Sequence, residues 1–206
     1  MSRIPTAHCQ LTCTWFGFLC ALAGLVVIAS AQDKAKPADQ EFISLFNGKD
    51  LTGWVYPGPK GKPMDGMTET PDGRFRVRDG AIVAEAKDKT GKGGIRDLYT
   101  AQSFDKDFHL QLEFRAAPRA DSGVYIRGVQ LQVRDYPTVG PYRNLKSFKV
   151  GDWNMLDIIV RGKVAECRCN GELLTDKMNV PEKGPIGLQA ESGQFEFRNL
   201  RLRWLP

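Results

Sequence analysis

Residues 107–135 read DFHLQLEFRAAPRADSGVYIRGVQLQVRD, and three period-two runs follow one another within them. In the first, Phe108, Leu110, Leu112 and Phe114 alternate with His109, Gln111, Glu113 and Arg115. In the second, Val124 and Ile126 oppose Tyr125 and Arg127; in the third, Val129, Leu131 and Val133 oppose Gln130, Gln132 and Arg134. A strand turns successive side chains to opposite faces, so each run predicts a strand with one dry face and one face equipped to bind. Residues 116–123, with Pro118 and the Asp121-Ser122-Gly123 turn, are expected to form a loop that brings the second strand back beside the first. The third run follows after only Gly128, too short a link for a parallel crossover and compatible with a corner or bulge.

The pattern continues on both sides. Residues 41–54, EFISLFNGKDLTGW, predict a short strand and then turns at Asn47-Gly48 and Thr52-Gly53. Residues 55–72 are punctuated by Pro57, Pro59, Pro63 and Pro71 and by three glycines, so a long loop is expected there. Asp79-Gly80 centres a hairpin, and residues 98–100 predict a short strand. After a second loop at 136–152, WNMLDIIVR at 153–161 alternates again with Leu156, Ile158 and Val160 inward. Asn170-Gly171 is the strongest short-range hairpin signal in the chain, and residues 186–191 and 195–205 supply the last strands. No stretch predicts a helix longer than about two turns, and roughly ten short strands with frequent Gly, Pro and Asn turns indicate an all-β sandwich of two antiparallel sheets.

Composition limits what this sandwich does. Of the 206 residues 42% are hydrophobic, ordinary for a globular protein. Arg3, an apolar segment at 11–28 and the small-x-small Ala29-Ser30-Ala31 predict a leader at 1–31 cleaved before Gln32, with an uncleaved membrane anchor as the competing reading. Residues 32–40 are polar and predict a linker, so the domain is expected at 41–206. The mature protein is then secreted or periplasmic, without stable membrane insertion, since the sequence has no second apolar stretch of that length. Removing Arg3 takes 29 basic residues to 28 against 24 acidic ones, a mild net charge of +4. Arg74, Arg76 and Arg78 share one strand face, alternating with Phe75 and Val77 and without aromatics placed to stack bases, which suits a solvated strand face or an acidic partner and argues against nucleic acid. Cys167 and Cys169 stand two apart in a strand pattern, an awkward spacing for a disulfide. With His109 the one histidine left after the leader, neither a His/Cys-rich metal site nor a Ser-His-Asp triad is expected, and no cofactor fingerprint occurs.

What remains is a polar sheet face of carboxylates, guanidiniums, amides and aromatics. That combination suits a carbohydrate ligand: Arg and Gln serve vicinal hydroxyls, carboxylates accept from them, and Trp or Tyr covers the C–H face of a pyranose. The same residues also suit the ordinary wet side of an antiparallel sheet.

The segments FISLFNGKDLTGW, FHLQLEFR followed by DSGVYIRG, GDWNMLDIIVRG with its Asn-Gly hairpin, and GPIGLQAESGQFEFRNLRLR resemble, in order and spacing, the 3-keto-disaccharide hydrolase family across residues 41–206. The resemblance implies a concanavalin A-like jelly-roll sandwich with a sugar on its concave face, and cleavage of glycosides whose C3 hydroxyl is already a ketone. Such a ketone acidifies the C2 proton, so a base can remove it while donors stabilise the enolate and the C1 oxygen leaves. Glu113, Asp121 and Glu191 are then the candidate acids and bases, and Arg115 or Arg127 the enolate stabiliser. Gln130, Gln132 and Gln189 would position hydroxyls, and Trp153 and Tyr125 would serve as platforms. Glu113, Arg115, Tyr125, Arg127, Gln130 and Gln132 are expected to converge on one face, joined by Trp153, Asp157, Gln189 and Glu191 if their strands share that sheet, with Tyr142 or Arg143 reaching in from the rim. The sequence departs from many members in carrying Gln130 where they carry Glu, and Ala190-Glu191-Ser192 where they carry Asp-His-Gly. A non-catalytic carbohydrate-binding module on the same fold is the alternative.

Overall fold

The computed structural model describes residues 41–206. The expected leader and linker, residues 1–40, lie outside the described residues. In chain order the strands are β1 (Ile43–Ser44), β2 (Trp54–Tyr56), β3 (Lys62–Pro63), β4 (Phe75–Arg78), β5 (Ala81–Ala84), β6 (Arg96–Phe104) and β7 (Phe108–Ala116). They continue with β8 (Asp121–Ile126), β9 (Val129–Arg134), β10 (Asn154–Arg161), β11 (Val164–Cys169), β12 (Glu172–Asn179), β13 (Gly184–Ala190) and β14 (Phe195–Trp204). No helix forms among the described residues.

The strands divide into an eight-stranded sheet, ordered β12-β11-β10-β7-β14-β5-β4 with β1 against β14, and a six-stranded sheet, ordered β3-β2-β6-β13-β8-β9. Their pairings are antiparallel. This is the all-β sandwich of two antiparallel sheets that the alternation led us to expect, and the jelly roll that the family resemblance implied. The apolar alternates meet between the sheets: Phe108, Leu110, Leu112 and Phe114 from β7 face Val124, Ile126 and Val133 from β8 and β9, all fully buried. Each such side chain contributes about 1.5–3 kcal/mol by leaving water, so the register of these strands is strongly specified. Phe114 stacks on Phe195 at 5.9 Å and meets Tyr136 edge-on at 6.2 Å, which ties the core to the loop after β9. Cys167 and Cys169 are free and buried, and burial pushes both thiols up to about 12, so they act as small core residues.

One expectation is overturned here. β7 does not lie beside β8: it sits between β10 and β14 in the larger sheet, whereas β8 sits between β13 and β9 in the smaller. Residues 117–120 carry the chain from one sheet to the other, with the Ala117 amide on the Gln194 carbonyl at 2.9 Å and the Ala120 amide on the Ala117 carbonyl at 3.0 Å. Antiparallel strands need not be joined by a hairpin, and β7 gains two flanking partners by leaving its neighbour in sequence.

β14 shows how an irregular pattern becomes structure. Its inward residues run Phe195, Phe197, Leu200, Leu202, so the spacing slips by one in mid-strand. The slip is a bulge between Arg198 and Arg201, with Asn199 at φ 54°. Arg198 and Asn199 thereby both turn to the outer face, where Arg198 Nε at 2.6 Å and Asn199 Nδ2 at 3.1 Å donate to Glu113 Oε2.

Candidate functional site

The outer face of the six-stranded sheet carries a connected set of polar side chains beside two tyrosines, a combination suited to a ligand. Register aligns them in rows. Tyr99 of β6 lies opposite Gly187 of β13, which lies opposite Tyr125 of β8, which lies opposite Gln130 of β9. One row along, Asp97 faces Gln189, and Gly123 faces Gln132. At the end of the sheet Asp121 faces Arg134, and Asp121 also bridges Ser192, next to Glu191.

Two glycines let the larger side chains lie down on the sheet. A Cβ on Gly187 would come within 2.5 Å of Tyr99 Cε1 and 3.1 Å of Tyr125 Cδ2; one on Gly123 would come within 2.4 Å of Gln130 Nε2. The Tyr99 and Tyr125 rings therefore lie over Gly187, 5.1 Å apart with a 39° tilt, and form an aromatic floor in which Tyr99 is buried and Tyr125 half-buried. Around it run hydrogen bonds: Gln130 Nε2 donates to Gln189 Oε1 at 2.8 Å, Gln189 Nε2 to the Tyr125 hydroxyl at 2.8 Å, and the Tyr125 hydroxyl to Asp97 Oδ1 at 3.1 Å. Arg134 Nε donates to Asp121 Oδ1 at 2.6 Å and to Gln132 Oε1 at 2.9 Å, and its Nη1 reaches the Gly140 carbonyl at 3.1 Å.

The electrostatics single out two carboxyls. Burial raises Asp97 above the usual carboxylate range against the lowering effect of hydrogen bonds from Tyr125 and Gln189. Burial, then the neighbouring Asp121 charge, raises Glu191, with Arg134 opposing. Burial and the Asp97 charge push the Tyr125 phenol up to about 12, so it stays protonated and donates. Carboxyls raised by desolvation in a cluster of donors and aromatics are what acid–base chemistry near neutrality requires.

The structure brings together Asp121, Tyr125, Gln130, Gln132, Gln189 and Glu191 of the residues expected from sequence, and it separates Glu113, Arg115, Trp153, Asp157 and Arg127 from them. Glu113, Arg115 and Trp153 belong to the outer side of the opposite, eight-stranded sheet. There Glu113 is satisfied by Arg198 and Asn199, beside a cavity of 330 Å³ that it lines with Phe42 and Arg201. Arg115 Nη2 binds Glu196 Oε2 at 2.7 Å, and the Arg198 and Arg115 guanidiniums stand 3.9 and 4.8 Å from the centre of the Trp153 ring. His109 and Asp157 share that face, 2.9 Å apart.

Arg127 is a correction of a different kind. It occupies, with Gly128, the two-residue β8–β9 turn at φ 51° and 87°, so its side chain leaves the strand alternation. Only 3% exposed, it donates to the Gly162, Pro181 and Lys106 carbonyls at 2.7, 3.0 and 2.8 Å. It clamps three loops, away from the outer face of the six-stranded sheet. Tyr142, expected at the rim, instead meets Tyr136 edge-on at 5.2 Å.

Three members of the site escaped the sequence reading: Asp97, Tyr99 and the role of Arg134. Alternation did extend to Asp97-Leu98-Tyr99-Thr100, but a tyrosine on the wet side and a threonine in the core blur it. Among the described residues no group of three or more His, Cys, Asp and Glu gathers as metal ligands, and no helix is long and apolar enough to cross a membrane.

Comparison with known proteins adds a family and a fold. The family model described as the 3-keto-alpha-glucoside-1,2-lyase-like domain matches residues 41–203. Two solved structures from Parabacteroides distasonis ATCC 8503, each provisionally called a glycosyl hydrolase, share the fold. One is 17% identical, with a TM-score of 0.59 over 80% of this chain and 94% of that one. The other is 21% identical, with a TM-score of 0.57 over 81% of this chain and 100% of that one. No curated protein matches the chain.

Proposed function

Because the chain belongs to the 3-keto-α-glucoside-1,2-lyase-like family across residues 41–203, we propose that it cleaves glycosides whose C3 hydroxyl has been oxidised to a ketone, on the outer face of its six-stranded sheet. The observation that carries this reading is the pairing of two burial-raised carboxyls, Asp97 and Glu191, with the tyrosine floor and the amides around it.

The chemistry needs a base, an acid and an oxyanion donor. A C3 ketone makes the C2 hydrogen acidic; a carboxylate takes that proton, and the C–H electrons enter the enolate. The enolate collapses to a C1=C2 bond as the C1–O bond breaks, and the departing oxygen takes a proton from an acid. Water then adds across the double bond, hydroxyl to C1 and hydrogen to C2, releasing the 3-keto sugar. Glu191 suits the acid, because a carboxyl held protonated to higher pH has a proton to give. Arg134, oriented by Asp121, is the guanidinium on this face for the enolate oxygen. Tyr125, backed by the buried Tyr99, offers the C–H face of the sugar a platform, and Gln130 and Gln132 serve its hydroxyls, with the buried Gln189 holding Tyr125 and Gln130 in place. Export accompanies this reading, resting on the leader-like residues 1–31, and N-terminal sequencing of the exported protein is expected to start at Gln32.

The test is to incubate the purified protein with a 3-keto-disaccharide and with its unoxidised parent, following sugar release and binding together. Release from the keto substrate alone is the expected result. Binding of either sugar without release would make the protein a carbohydrate-binding module, and neither binding nor release would overturn the sugar reading altogether.

A further inference from the structure

The hydrogen bonds that cross the six-stranded sheet have a direction, and chemistry fixes it. Tyr125, Gln189 and Gln130 form a chain that ends on Asp97 Oδ1, with links of 3.1, 2.8 and 2.8 Å. An ionised carboxylate can only accept, so the Tyr125 hydroxyl gives its proton to Asp97. The phenol oxygen then accepts from an amide N–H, so Gln189 turns its nitrogen to Tyr125 and its carbonyl to Gln130. Gln130 must donate, which its amide does and a carboxylate there would not. Four side chains on four strands, β9, β13, β8 and β6, thus point one way.

We propose that Asp97 is the base that removes the C2 proton of the 3-keto sugar, and that Gln130 is a positioning residue that keeps this chain aimed at it. The assignment rests on the reading of the site as one that cleaves 3-keto-glycosides. Among the carboxylates of this face, Asp121 has Arg134 on its Oδ1 at 2.6 Å, a charge-assisted bond that weakens an acceptor as a base. Asp97 accepts from a phenol and an amide, both neutral, and burial keeps it readier to take a proton than an ordinary aspartate. The titratable groups around it are Tyr99 on its own strand, Tyr125 on β8 and Glu191 just past β13, whose own carboxyl feels the Asp97 charge. Its backbone is held as well, since the Gly58 amide donates to the Asp97 carbonyl at 2.9 Å. In the step, the Asp97 carboxylate gains the C2 proton, the C–H pair becomes the C1=C2 bond, and the C1–O pair leaves with the oxygen that Glu191 protonates.

The experiment measures release from a 3-keto-disaccharide, and C2 hydrogen–deuterium exchange in D2O, as a function of pH. It compares wild type with Asp97→Asn, Tyr125→Phe and Gln130→Glu. Asp97→Asn is expected to lower kcat/KM and exchange by about 10²- to 10⁴-fold, the span of a lost general base, with an intact melting transition and unchanged sugar binding. Tyr125→Phe removes the donor that lowers Asp97, so the acid limb of kcat/KM moves to higher pH. Gln130→Glu presents two acceptors to each other; Gln189 turns over, Tyr125 redirects its proton to the Gln189 carbonyl, and the limb moves the same way. A merely structural pair would leave the limb where it is. Release or exchange in Asp97→Asn within about threefold of wild type overturns Asp97 as the base, and an unmoved limb in both other variants overturns the positioning role. A wild-type protein that neither releases sugar nor exchanges the C2 proton overturns this inference together with the reading beneath it, whereas a wild type that does either while Asp97→Asn matches it overturns Asp97 alone.

Discussion

Arg127 and Glu113, both among the catalytic candidates expected from sequence, hold other parts of the protein together. Arg127→Ala strands the Gly162, Pro181 and Lys106 carbonyls, and bonds from a charged donor are worth more than neutral ones. The expected loss is about 3 kcal/mol or more of unfolding free energy, read as a lower denaturant midpoint, with kcat/KM of the folded fraction unchanged. Glu113→Gln lies on the opposite sheet, where it breaks a half-exposed contact with Arg198; turnover of a 3-keto-disaccharide is expected to stay within about twofold of wild type. A large loss of turnover in a stably folded Glu113→Gln variant would move the site to the other sheet. Trp153, flanked by the Arg198 and Arg115 guanidiniums, belongs to that same surface.

At the scale of elements, β13 governs the site. It is the strand between β6 and β8, and it offers the outer face a glycine, Gly187, where its neighbours offer tyrosines. Gly187→Ala would set a methyl 2.5 Å from the Tyr99 ring, which is itself buried and cannot swing aside freely. Overpacking of this kind costs about 1–3 kcal/mol. The expected outcome is a weaker-binding protein with its strands intact, seen as a raised Kd for the sugar alongside an unchanged far-ultraviolet circular dichroism spectrum; full affinity would mean that the tyrosine floor does not touch the ligand.

For the molecule as a whole, the site sets a pH dependence opposite to that of most acidic residues. The folded state raises Asp97 and Glu191, so it binds their protons more tightly than the unfolded chain does. Their favourable contribution is full below the ordinary carboxylate range and is lost as pH rises through the raised values. Glu191→Gln is therefore expected to raise Tm at neutral pH, and the gap to wild type should close on acidification; a gap that widened in acid would contradict the raised carboxyl. Glu85 and Asp88 run the other way, lowered by hydrogen bonds from Arg76 and Thr90, so the comparison has to be made between variants at each pH. The sequence by itself determined which side chains of β7, β8, β9 and β10 are dry, because alternation is a local property with a period of two, and it determined the hairpin at Asn170-Gly171. The two-sheet sandwich follows from those same runs. Only the tertiary structure decided which sheet each strand joins. The polar alternates of 109–115 and of 125–134 look alike in sequence, yet β7 pairs with β10 and β14 while β8 pairs with β13 and β9, and such pairings rest on the burial of facing sheets far apart in the chain. For the same reason Asp97, on a strand whose alternation is blurred by Tyr99 and Thr100, became part of the site only when β13 laid Gln189 beside it.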